Sequence, residues 1–267
     1  MSEDELMALT VSCVVSLAAW FYWIRLTTAT APRCSRFRHR WPLLLYPALS
    51  AAALYGVLRQ FSSHDVRSSV LYTGFYLVLG AAWVGLAASW FLPFFGLSAR
   101  DDVIERANPG AAHAIGGGLL GVTLCYAGGN IGDGPGWWVV VFCAGLSTAA
   151  FFLFWAFLDK LTGLADTVTV ERDPAAGIRL AGIFIGAGLI LGRAVAGDWE
   201  SGVSTLRDFA VLGWPALVLW TAAAALESQL RPHHEKPRAD LFVHGLAPAA
   251  AYVGLAAFFV LRAGPWS

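Results

Sequence analysis

Charge is what this sequence has least of. Asp, Glu, Lys and Arg make up only 13% of its 267 residues, about half the share of an ordinary soluble domain. An excess of either sign is missing too. Eighteen basic residues balance eighteen acidic ones, so there is no electrostatic footprint for nucleic acid. Lysine is nearly absent: Lys160 and Lys236 lie at or beyond the ends of apolar runs, which excludes a retinal-type Schiff base inside a span. The four cysteines, Cys13, Cys34, Cys125 and Cys143, form no CxxC pair, which argues against a disulfide scaffold or a thiolate metal site. The centres of the apolar runs hold almost no ionisable residues, whereas a proton-coupled carrier usually keeps one near mid-membrane. His113 and His244 both fall near the same side, so no opposed pair exists to hold haem. Neither HExxH, nor a Ser-His-Asp set, nor a paired intramembrane Asp occurs. The expectation is a non-enzyme without cofactor or metal.

What is abundant is apolar length. Hydrophobic residues are 57% of the chain and mean hydropathy is +0.61. About 20 apolar residues cross a roughly 30 Å hydrocarbon core, and eight such runs are present: 7–27, 42–60, 69–97, 110–131, 138–160, 175–195, 207–229 and 241–262. The acidic start Ser2-Glu3-Asp4-Glu5 lacks the basic n-region of a secretory signal, so the first run reads as a retained membrane helix. Orientation follows from Arg and Lys in short loops. Arg33, Arg36, Arg38 and Arg40 crowd the first loop, with Arg25 just before it. Arg100 and Arg106, then Lys160 and Arg172, then Arg231, Lys236 and Arg238 mark the other odd loops. Even loops are poorer, which places odd loops in the cytoplasm and both termini outside. Trp41, Trp137, Trp138, Trp199 and Trp266 sit at run boundaries as ordinary interfacial anchors. His233-His234 has no third ligand at metal spacing and reads as part of a surface connector.

A repeat organises the middle of the chain. Glu105-Arg106-Ala-Asn108-Pro109 matches Glu171-Arg172-Asp173-Pro174 once a residue is dropped, and Gly117 and Gly121 then meet Gly182 and Gly186. Gly132-Asp133 falls on Gly197-Asp198, and Leu158-Asp159 on Leu226-Glu227 after a three-residue insertion. Ordered matches of this kind predict a duplicated two-span unit. Two spans is an even number, so the copies enter the membrane from the same side and are parallel. The expected division is three helices over 1–99, repeat units over 100–165 and 166–231, and a last helix over 232–267. Asn108 and Asp173 look like N-caps followed by Pro at the first helical position. The Gly117/Gly121 and Gly182/Gly186 pairs predict a close crossing of spans four and six about a pseudo-twofold axis.

The stretch Asp102-Val-Ile-Glu105-Arg106-Ala-Asn108-Pro109, and less closely Glu171-Arg172-Asp173-Pro174, resembles the YjfL-like bacterial inner-membrane proteins. These are the family of domains of unknown function numbered 350. The resemblance covers about residues 100–230 and leaves spans one to three and eight without counterpart. It implies an inner-membrane location, a two-span unit occurring twice, membrane-stress settings and an ion-conducting role.

The residues themselves suggest a passive ion or small-solute pathway between the two units. Glu105 and Glu171 would attract a small cation at the cytoplasmic mouth, with Arg106 and Arg172 as counter-charges and Asn108 and Asp173 beside them. Asp159 and Glu227 would widen that ring. Arg179, about one turn inside span six, is expected to snorkel toward the interface, the other option being a carboxylate partner in the bundle. Small-residue faces suggest a homo-oligomer in the bilayer. The alternative is a non-catalytic scaffold or stress-response component that recruits partners through its cytoplasmic loops, the basic first loop suiting anionic head groups.

Overall fold

A computed structural model describes residues 1–28, 40–230 and 240–264. Arg33, Cys34, Arg36 and Arg38, the connector with His233, His234, Lys236 and Arg238, and Trp266 lie outside the described residues. Among those described, the elements are all helices. The membrane-length ones are α1 (Glu3–Thr28), α2 (Trp41–Gln60), α4 (Val70–Phe94), α6 (Pro109–Gly128), α7 (Trp137–Thr162), α9 (Pro174–Ala194) and α12 (Phe242–Arg262). Short helices α3 (His64–Ser68), α5 (Ala99–Glu105, a π turn) and α8 (Leu164–Thr169) lie between them. Seven helices are long and apolar enough to cross a membrane, so the chain is an all-α membrane protein.

The expected seventh span is not one continuous helix. It is α10 (Gly202–Gly213) and α11 (Pro215–Leu230), bent by 40° at Trp214. Pro215 causes the break, since its ring has no N–H to give and collides with the preceding turn. Hydropathy alone reads through such a proline because its neighbours remain apolar. Counted as one span, the bent pair makes eight.

The helices form two rows. In the inner row, α2, α6, α9 and α12 all run in the same direction. Trp41 and Tyr46 meet His113 near the starts of α2 and α6, while Ser62 bridges Gly132 past their ends. Gly110 meets Pro174 and Gly128 meets Gly192, so α6 and α9 stay in step throughout. Gly245 meets Ala175 and Arg193 reaches Ala263, which does the same for α9 and α12. The outer row, α1, α4, α7 and α10–α11, runs the opposite way. Tyr72 bonds Glu5, Trp83 bonds Thr148, Phe91 stacks on Phe152, and Phe154 packs on Trp220.

Small residues make the inner row possible. A β-carbon on Gly117 would overlap the Ala181 backbone, one on Gly121 would stand 2.6 Å from the Phe184 carbonyl oxygen, and one on Gly128 would overlap Gly192. In a lipid solvent such van der Waals contact holds helices together, because burying apolar surface from lipid gains little. The expected pairing of glycines needs correcting here. Gly117 and Gly121 face α9, but Gly182 faces Ala249 of α12, and Gly186 faces Leu219 and Tyr252. A local twofold would make the contact self-complementary. Instead each helix of the row offers one face to the helix before it and another to the helix after.

The starts of α6 and α9 share their backbone geometry. Ala107 and Arg172, both at positive φ (53° and 57°), lie just before the caps. Asn108 N–H donates to Asp102 and Asp173 N–H to Thr167, each at 3.1 Å. Arg106 N–H bonds the Asp101 carbonyl as Glu171 N–H bonds that of Asp166. In this register Glu171 corresponds to Arg106 and Arg172 to Ala107, so no residue is dropped and the Glu-Arg dipeptides stand one position apart.

Candidate functional site

The capping residues act as the sequence suggests. Asn108 Oδ1 accepts from Ala111 N–H at 3.2 Å, and its Nδ2 donates to the Val168 carbonyl at 2.7 Å, tying α6 to the end of α8. Asp173 Oδ1 accepts from Ala175 N–H at 2.9 Å. Arg172 is exposed and occupies the left-handed position just before Asp173.

The carboxylates proposed for a mouth ring are bound to separate partners. Glu105 pairs with Arg100 at 3.2 Å, with side chains 56% and 65% exposed, an arrangement of little energetic weight. Arg106 turns back to Asp102 at 3.1 Å. Burial raises the Asp102 carboxyl above its ordinary value, while the Ser98 N–H and the Arg106 guanidinium oppose that rise. Asp159 Oδ1 accepts from Ala165 N–H at 2.7 Å and so caps α8. Glu171 is exposed beside Arg172. No shared ring joins Glu105, Asp159 and Glu227, because each carboxylate satisfies donors of its own.

Glu227 is different. It lies in α11, three residues before its end, and forms a two-pronged pair with Arg179 of α9. Nε to Oε1 is 2.6 Å and Nη2 to Oε2 is 2.7 Å. The two side chains are 0% and 3% exposed. Arg179 does not snorkel; it takes the buried carboxylate instead. Position explains this: Arg179 sits about 8 Å into α9 at 1.5 Å per residue, on a face covered by α11 and α12. Its Nη1 donates to the His244 carbonyl at 2.5 Å. That carbonyl belongs to the π segment Phe242–Leu246 at the start of α12, and Pro248, four residues further on, has no N–H to occupy it. Tyr252 stands within electrostatic reach of both charges. Its buried hydroxyl has no hydrogen-bond partner, nor has His244 Nδ1.

At the other end of α9, Arg193 is buried at the side of a cavity of about 270 Å³. Asn130, Thr205, Asp133, Asp198 and Asp208 also line it, the three aspartates being exposed. Arg193 Nη2 donates to the Ala263 carbonyl at 3.3 Å. A second hollow of about 210 Å³ adjoins the first through Arg193, Leu212 and Ala263, and continues past Trp214, Pro215 and Phe259 at the break between α10 and α11. Buried polar groups therefore lie at both ends of α9, Arg179 with Glu227 at one and Arg193 at the other, with an apolar stretch between them where α9 meets α11 and α12. By contrast, the α6–α9 seam, where a pathway was expected, is packed backbone against glycine along its length.

Sequence reasoning missed Arg193, Tyr252 and the His244 carbonyl. The available signal was a helix with an arginine near each end of an otherwise apolar run, since buried ionisable groups in spans are costly and call for a partner. Among the described residues, no group of three His, Cys, Asp or Glu is placed to hold a metal ion.

Residues 134–261 match the model of the family described as Domain of Unknown Function (DUF350). The match includes α12, for which no counterpart was expected, and the Glu171–Pro174 stretch, but not Glu105–Gly117. No curated protein and no solved structure matches the chain.

Proposed function

With residues 134–261 assigned to DUF350, we propose that this membrane protein passes a small ion or polar solute along the seam between α9, α11 and α12. The observation that carries the reading is the buried Arg179–Glu227 pair, with the unpartnered Tyr252 hydroxyl beside it, on the same helix as the cavity-lining Arg193. Charged groups stay inside a membrane span where they serve a pathway or a partner. Broken helices such as α10–α11 leave backbone groups available at such sites. The cavity rim carries Asp133, Asp198 and Asp208 against the single Arg193, a balance that favours cation entry. The paired charges form the closed end, and no open route is needed at the α6–α9 seam.

Flux through purified full-length protein in liposomes tests this. The double variant Arg179→Met plus Glu227→Leu should abolish flux yet fold, because apolar replacement of a whole buried pair is often neutral or stabilising. Flux equal to wild type would place the route elsewhere. Failure of the wild-type protein to conduct several cations and anions at both voltage signs would favour the second reading, a membrane scaffold. The tight α6–α9 packing supports that reading.

A further inference from the structure

The inner row repeats one joint, and its last helix carries the same face uncovered. In α6 the face toward the next helix holds Gly117 and Gly121, and in α9 it holds Gly182 and Gly186. Contacts set the register of α12. Gly117 meets Ala181 and Gly182 meets Ala249, so Ala249 corresponds to Ala181. Ala250 then stands where Gly117 and Gly182 stand, and Gly254 where Gly121 and Gly186 stand. Both are exposed, with Ala247 and Ala251 beside them. A β-carbon on Gly254 would meet none of the described atoms within 4 Å. The exposed side of α1, by contrast, is filled by large side chains such as Leu6, Val14, Leu17 and Phe21.

We infer that this face of α12 receives α2 of a second copy of the chain, which continues the row. Each joint already made sets the forward face of one helix on the rearward face of the next, Gly121 on Gly188 and Gly186 on Ala256. Among the described residues, the rearward faces of α6, α9 and α12 are covered and that of α2 is open. Counted from the opening prolines Pro42 and Pro174, Leu49 and Gly56 of α2 match Ala181 and Gly188 of α9. Leu49 is 44% exposed, and a β-carbon on Gly56 would meet none of the described atoms within 4 Å. Gly254 on Gly56 therefore reproduces Gly121 on Gly188, while Leu49 lies on the small Ala250. Close backbone approach of this kind holds parallel helices together in lipid. Direction agrees as well, since α2 and α12 run alike within a chain and copies inserted by the same loop charges run alike with each other. The two helices stand at opposite ends of the row, so the joint is made head to tail between chains.

Disulfide trapping of the full-length protein in liposomes tests the inference. Gly254→Cys and Gly56→Cys chains, reconstituted together and oxidised, should give a dimer whose linked peptides join positions 254 and 56. Wild type oxidised in parallel controls for the native cysteines. Gly254→Leu and Gly56→Leu should each reduce the assemblies counted by single-molecule photobleaching to monomers. Both should unfold at or above the wild-type temperature, because each site is open within the chain and leucine favours helix. A link from 254 to 254 in the Gly254→Cys protein alone would overturn the inference in favour of a twofold contact. Monomeric wild type, or no link in the mixed sample, would overturn it in favour of lipid.

Discussion

Arg179 and Glu227 are charged groups that stay buried only because each has the other. Removing one leaves the remaining charge uncompensated, so Glu227→Gln should destabilise the protein by about 3–5 kcal/mol. The Arg179→Met plus Glu227→Leu protein should unfold close to wild type or above it. Thermal unfolding in detergent checks both, and equal losses in the two variants would mean that the pair stabilises in its own right. Asp102 gives a pH effect of opposite character to the usual carboxylate. Burial raises its folded-state pKa above the ordinary 3.8, so the folded protein holds this proton more tightly than the unfolded chain does. Its contribution is fully present below the ordinary value and is lost as pH rises through the folded one. Asp102→Asn should therefore show a flatter stability profile than wild type as pH rises above the ordinary carboxyl value of 3.8. A steeper profile would contradict the assignment.

At the scale of elements, the glycines divide by what they touch. A β-carbon at Gly128 would run into Gly192, whereas one at Gly74 would meet nothing within 4 Å. Gly128→Val should separate the ends of α6 and α9 and cost several kcal/mol, as overpacking against rigid backbone does. Gly74→Ala should be neutral or gain up to about 1 kcal/mol from helix propensity. Denaturant unfolding compares them directly. Much at this scale was legible in the sequence: the caps Asn108 and Asp173, and every membrane helix within a few residues, because apolar length and cap chemistry are local. The break at Pro215 was not, since hydropathy averages over it. The partners of Gly182 and Gly186 were not legible either. A small-residue stripe says that something approaches closely, but not from which side. For the site, the sequence reading puts Glu227 in a ring of carboxylates at the cytoplasmic mouth, whereas the structure pairs it with Arg179. Its partner depends on how α9 and α11 are turned toward each other, which no spacing in the sequence encodes.

At the scale of the whole molecule, burial falls from the centre of the rows outward. The spans α6 and α9 are each 83% buried, against 17% for α1 and for α12. Local opening free energy follows such differences in packing. Hydrogen exchange in detergent should therefore show α6 and α9 as the most protected segments and the outer ends of α1 and α12 as the least. Uniform protection would argue against the two-row arrangement. The row has a further property that follows from the way Gly117 addresses Ala181 and Gly182 addresses Ala249. Each step is a displacement, not a turn about a twofold axis, so nothing in the geometry brings the series back to its beginning. A ring has a fixed membership, but this arrangement is closer to a fence, to which a panel can be added at either end without disturbing the posts already standing. The number of helical hairpins is thus a free variable of the architecture.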